Sequence, residues 1–150
     1  MELYIDRGTF HKGLQAVQGI VETRSTAMPI LQNILIQAEG EGISIAATDL
    51  EVGYRAFYPA RIETPGAITL NARRLHDILR ELPEGEIHLK AEEGNWVGLK
   101  CHRSRFRFPG LPPEDFPQLP DSEATETGTL DQGILEEMIR KTMFAISTDE

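Results

Sequence analysis

The chain has 150 residues, with 15 Lys and Arg against 24 Asp and Glu, a formal charge of −9 and a pI near 4.9. That length fits one domain, or one domain with a fragment of another, and 40% apolar residues suffice for a packed core. The lone Cys101 excludes an internal disulfide and a four-cysteine zinc site. No apolar run approaches the roughly 18 residues that a membrane span needs, and Met1–Asp6 lacks the basic-then-apolar layout of a secretion signal. The expectation is a soluble cytoplasmic protein whose acidity argues against a nucleic-acid partner.

The chain echoes itself. Leu3-Tyr4-Ile5-Asp6 is followed by Phe10 and Leu14, Ile68-Thr69-Leu70-Asn71 by Leu75 and Leu79, and Gly128-Thr129-Leu130-Asp131 by Leu135 and Ile139. Each copy is a short extended segment, a helix-capping Asp or Asn, and apolar residues four and eight positions on, which fall on one helix face. The pattern predicts helices near 8–21, 72–82 and 132–143, the first burdened by Gly8, Gly13 and Gly19. Between helices the period falls to two. Strands are expected at 32–39 and 43–46 about a turn at Gly40-Glu41-Gly42, at about 50–60, at 86–90, at 96–100 and at 104–108. Trp96 is expected in the sheet core. Two strand-helix-three-strand units, related by a pseudo-twofold, make an α+β domain over 1–122.

A linker follows, with Pro109, Pro112, Pro113, Pro117 and Pro120 among the nine prolines and several carboxylates between them, which reads as a surface connection. The third helix over 132–143 then lacks the strands that would cover its apolar face. Residues 123–150 are therefore expected to open a second domain, and the chain to be the amino-terminal piece of a longer protein.

Catalytic chemistry finds little support. Asp49 and Glu51 stand two apart on a strand, as metal-binding carboxylates of a nuclease would, but equally as a structural turn. Cys101 and His102 are adjacent on a strand and point to opposite faces, so they cannot act as a nucleophile pair. His11, His76, His88 and His102 have no metal-site spacing, and the phosphate-loop, dinucleotide and nucleophile-elbow motifs are missing. Neither a metal nor a cofactor is expected.

Six segments, in order, resemble the bacterial sliding clamp family, the β subunit of DNA polymerase III. They are Arg24 with Met28-Pro29-Ile30-Leu31-Gln32-Asn33; Ala47-Thr48-Asp49-Leu50-Glu51; Asn71-Ala72-Arg73; Leu82-Pro83-Glu84-Gly85; Arg103-Ser104-Arg105-Phe106; and Leu111-Pro112 through Asp115-Phe116-Pro117. The resemblance spans essentially the whole chain and implies the DNA-clamp fold. It further implies a non-catalytic replication processivity factor, in which two three-domain chains close head to tail around double-stranded DNA. In such a ring the helices line the hole and the sheets form the outer wall. Replicative polymerase and clamp loader would dock peptides in a cleft lying mostly beyond Glu150.

On that basis Arg24 and Arg73 are expected to contact DNA, with Lys12, Arg80, Arg140 and Lys141 as further candidates. Helix-end bases also offset the helix dipole or form i,i+4 pairs, and that reading stays open. Acids would dominate the exterior and disfavour DNA there. Thr148-Asp149-Glu150 stands where some members carry a DNA-contacting Gln, and its acids should repel phosphate. Arg103, Arg105 and Arg107 alternate with Phe106 and Phe108, so arginines and rings take opposite strand faces. The resemblance implies a subunit interface built from Arg74, Ile78, Phe106 and Phe108; a plain outer strand with solvated arginines and core rings is the other reading. A protein-interaction module of the same architecture without a DNA role is the alternative function.

Overall fold

Short polar side chains accept hydrogen bonds from the free N–H groups of a helix's first turn. Asp6 Oδ1 accepts from the N–H of Thr9 at 2.8 Å, Asn71 Oδ1 from Arg74 at 2.9 Å, and Asp131 Oδ1 from Gly133 and Ile134 at 2.9 and 3.1 Å. A computed structural model, which describes residues 1–21, 28–119 and 128–146, places a helix behind each cap: α1 (Arg7–Val17), α2 (Ala72–Glu81) and α3 (Gln132–Thr142). These are the three helices that the echo predicts. α1 stops at Val17, not near 21, because Ile20 and Val21 both bond back to the Val17 carbonyl and close a turn around Gly19.

The chain divides into two compact units, Met1–Leu119 and Pro120–Glu150. Among its described residues the first holds nine strands: β1 (Glu2–Asp6), β2 (Asn33–Glu39), β3 (Gly42–Thr48), β4 (Gly53–Pro59), β5 (Arg61–Thr64), β6 (Gly66–Asn71), β7 (Glu86–Ala91), β8 (Trp96–Cys101) and β9 (Ser104–Pro109). They form two antiparallel sheets, of order β5-β1-β7-β8-β9 and β4-β3-β2-β6. The repeat β1-α1-β2-β3-β4 is matched by β6-α2-β7-β8-β9. The opening strand of each repeat pairs in the other repeat's sheet: β1 lies against β7 from Glu2↔Lys90 to Asp6↔Glu86, and β6 against β2 from Asn33↔Asn71 to Ala38↔Gly66. Strand β5 stands outside the repeat and is unanticipated. Pro59 closes β4, and four residues then run back along β1 to form the sheet's edge.

Alternation along the strands places Ile34, Ile36, Ile43, Ile45, Ile87 and Leu89 in one core with Phe10, Leu14 and Val17 of α1 and Leu75 and Leu79 of α2. Gly13 lets α1 approach closely: a Cβ there would lie 2.8 Å from Ile45 Cδ1 and 3.0 Å from the Tyr58 ring. Trp96 is not in this core. The inward positions of β8 are Val97, Leu99 and Cys101, so Trp96 falls on the solvent side at 37% exposure, with the Arg107 guanidinium 4.3 Å above its ring.

The proline-rich stretch does more than connect. Leu111 exchanges backbone hydrogen bonds with Thr69 (3.2 and 3.1 Å), and the N–H of Gly110 donates to the Asn95 carbonyl at 2.7 Å, so the stretch covers the β6 edge. Phe116 then packs with Ile30, Leu31 and Ala46 in a second, smaller core on the other face of the four-stranded sheet. In the second unit, α3 carries Ile134, Leu135, Met138 and Ile139 exposed.

Candidate nucleic-acid interface

The helices of the first unit lie side by side. Arg7, at the start of α1, reaches the end of α2: Nε donates to the Leu79 carbonyl (2.8 Å), Nη2 to the Arg80 carbonyl (2.9 Å) and Nη1 to Glu84 Oε1 (3.1 Å). The Arg80 carbonyl, and the Leu79 carbonyl that also accepts the Leu82 N–H at 3.4 Å, are thereby capped from a neighbouring helix. Further along, His11 stacks on His76. Sequence reasoning missed Arg7, because a cation one residue past an N-cap shows nothing of a partner 72 positions away.

On this helix pair Lys12, Arg73, Arg74 and Arg80 are exposed. Arg80 is tied to its own helix, with Nη1 3.6 Å from Asp77 Oδ1 and Nε donating to Glu81 Oε1 at 3.1 Å, and it occupies the last turn of α2. The local reading of helix-end bases thus accounts for Arg80 without a ligand. Lys141 is similar: its Nζ lies 2.7 Å from Glu137 in the last turn of α3, beside Arg140. Arg24 and the Thr148-Asp149-Glu150 end fall outside the described residues.

Arg73 and Arg74 share a groove of about 670 Å³ with Asp77, Ile78, Leu82 and Phe106, between α2 and β9. Two of the four expected interface residues, Arg74 and Ile78, lie on its helix side. Phe106 and Phe108 do share a face of β9, yet only Phe106 is open, at 38% exposure; Phe108 is 4% exposed and belongs to the core. Both rings face fully buried partners across the ladder, so the difference lies in what covers them. Phe108 lies opposite Val97 and is packed in the core, whereas Phe106, opposite Leu99, lines the open groove beside α2. β9 is an edge of its sheet.

The solvent side of the five-stranded sheet is mixed in charge, with Glu2, Glu63 and Glu86 beside cations. Arg61, Lys90, Lys100, Arg105 and Arg107 project from its solvent side, alternating with the buried residues of their strands. Part of this charge is neutralised in place. Glu2 accepts from Lys90 Nζ and pairs with His88 Nε2, both at 2.8 Å, and these bonds hold the Glu2 carboxyl below its usual range, Lys90 first. Arg61 pairs with Glu63 and stacks 3.9 Å from the centre of the Tyr4 ring, which itself stacks on His88. Arg107 Nε donates to Glu92 at 2.9 Å.

Asp49 is taken up by its own turn. Its Oδ1 accepts from the N–H groups of Val52 (2.6 Å) and Glu51 (2.9 Å), in that order the causes of its lowered pKa, and the turn sets Leu50 at φ 80°. Cys101 is buried, its thiol pushed up by burial, while His102 is exposed and bonds the Glu84 carbonyl. Among the described residues no three His, Cys, Asp or Glu side chains converge as a metal site would require, and no helix is long and apolar enough to cross a membrane.

Two antiparallel sheets that exchange their opening strands, with paired helices, define a clamp-type α+β unit, and solved structures of that type agree with it. The chain superposes on Caulobacter crescentus pol III beta with a TM-score of 0.93 at 40% identity, covering 100% of this chain and 40% of that one. It superposes on the beta subunit of the Streptococcus pyogenes DNA polymerase with a TM-score of 0.92 at 26% identity, covering 100% and 41%. Residues 1–120 match the family model of the DNA polymerase III beta subunit, N-terminal domain, and the chain belongs to that family. A beta sliding clamp from Caulobacter vibrioides is 40% identical over 153 residues, covering all of this chain and 41% of the relative. The chain thus spans about two fifths of the length of the relatives it matches.

Proposed function

We propose that this chain is the amino-terminal part of a replication sliding clamp, with residues 1–122 as the first clamp domain and 123–150 opening the second. The observation that carries the reading is the agreement of the whole chain, at a TM-score of 0.93, with a polymerase III beta subunit. The full protein would close as a head-to-tail homodimer around double-stranded DNA and hold the replicative polymerase there without catalysing a reaction. Polymerase and clamp loader would bind through a peptide cleft lying mostly beyond Glu150.

On the α1–α2 helix pair Arg73 and Lys12 are assigned to phosphate, with Arg80 adding charge at a helix end; Arg24, Arg140 and Lys141 are assigned to it on the family resemblance. Such contacts are sequence-independent and weaken with salt, which suits a ring that slides. Tethering by topology also removes the need for an overall basic charge, so a net −9 is compatible with the role. The groove of Arg74, Ile78 and Phe106, beside the β9 edge, is assigned to the subunit interface, with Phe108 supporting Phe106 from the core.

The test is retention on DNA by the full-length protein. The wild type should remain on a nicked circle through gel filtration and be lost when the circle is cut. Arg24→Glu with Arg73→Glu should weaken loading on primed circles without changing the circular dichroism spectrum. Equal retention on linear and circular DNA at low salt would overturn the reading.

A further inference from the structure

The seam between α1 and α2 contains a titratable contact that the proposed function does not use. The rings of His11 and His76 stack with centroids 4.8 Å apart and 24° between planes. His11 Nε2 is buried with no hydrogen-bond partner among the described residues. The charged groups that act on His11 are His76 and Arg80 from α2, Arg7 from α1 itself, and Glu84 from the loop after α2. Asp77 Oδ1 stands 3.7 Å from His76 Nδ1. The carboxylate nearest in effect on His11, Glu84, is bonded to Arg7.

We propose that the His11–His76 stack is a proton-operated latch between α1 and α2, closed while His11 is neutral and released when His11 takes up a proton. A proton on His11 would place a cation against a second ring and two guanidiniums, in a site where its nitrogen finds no acceptor. Burial first, then the charges of His76, Arg7 and Arg80, hold the His11 pKa below its usual range. The sign follows. With both helices closed His11 resists protonation, so the closed form binds fewer protons than the open one, and opening gains as pH falls below about 6.5. The latch is independent of whether the helix layer faces DNA.

Hydrogen exchange of the 150-residue chain between pH 7.5 and 5, expressed as protection factors, tests it. Protection of the Leu14 and Val17 amides should fall by up to about tenfold per pH unit below 6.5, with β2 and β3 amides keeping theirs. In His11→Phe, which keeps a ring but no proton site, α1 protection should stay level. Level α1 protection in the wild type, an equal fall in the variant, or a parallel fall in β2 and β3 would each overturn the latch. If His11→Phe does not fold, the wild-type imidazole proton titration decides: a His11 midpoint at 6.5 or above overturns it, and one below 6.5 supports it.

Discussion

Replacing Arg7 by Met tests how the two helices are joined. Met keeps much of the apolar stem and removes three donors. The ion pair with Glu84 is worth little, because the Glu84 side chain is 77% exposed, and exposed pairs contribute roughly 0–1 kcal/mol. The bonds at 2.8 and 2.9 Å to the Leu79 and Arg80 carbonyls differ, since the Arg7 side chain is only 15% exposed. Hydrogen bonds from charged donors carry about 1.5–3 kcal/mol each, and loss of shared partners is not additive. Arg7→Met should therefore destabilise the first unit by about 2–3 kcal/mol, and Glu84→Gln by less than about 1 kcal/mol. Urea unfolding followed by far-ultraviolet circular dichroism gives both numbers, as a fall in midpoint at unchanged slope. Equal losses for the two variants would refute the assignment of the stability to the carbonyl bonds.

Other expectations are more local. Gly110→Ala should destabilise by about 1–3 kcal/mol, because its Cβ would lie 2.6 Å from the Thr69 carbonyl oxygen and force the covering strap off β6; the same denaturation assay reads it. Asn71→Ala should lose about 1 kcal/mol by uncapping α2, visible as a lower thermal midpoint. Tyr58, hydrogen-bonded to Tyr54 at 2.8 Å, has its pKa pushed up to about 12, by burial first. The unfolded chain releases that proton near pH 10, so stability should be intact below pH 10 and decline as pH rises toward 12. Tyr58→Phe should remove the decline in an alkaline stability series.

Local rules in the sequence were enough to read the three helices, since each depends on one cap and a four-residue spacing within a dozen positions. The strands of each hairpin followed from alternation and from turns such as Gly40-Glu41-Gly42. Pairing across the repeats was not legible, because nothing in Leu3-Tyr4-Ile5 says that its partner is Ile87-His88-Leu89 and not a neighbour in sequence. For the same reason β5 escaped notice, and alternation gave Phe106 and Phe108 one face without saying where α2 leaves that face uncovered. The expectation of Trp96 in the core fails because its own alternation with Val97 and Leu99 puts it outward. At the candidate interface, residue type located the cations, but not which of them, like Arg80, are already occupied by neighbours.

Because β1 and β6 are traded between sheets, neither repeat can complete its hydrogen-bond ladder alone. A chain cut between Thr64 and Gly66 would yield two pieces, the first holding β1 and β5 of the other's sheet and the second holding β6 of the first's. Those fragments should be incomplete apart and reassemble when mixed, so the duplicated plan behaves in folding as one indivisible body.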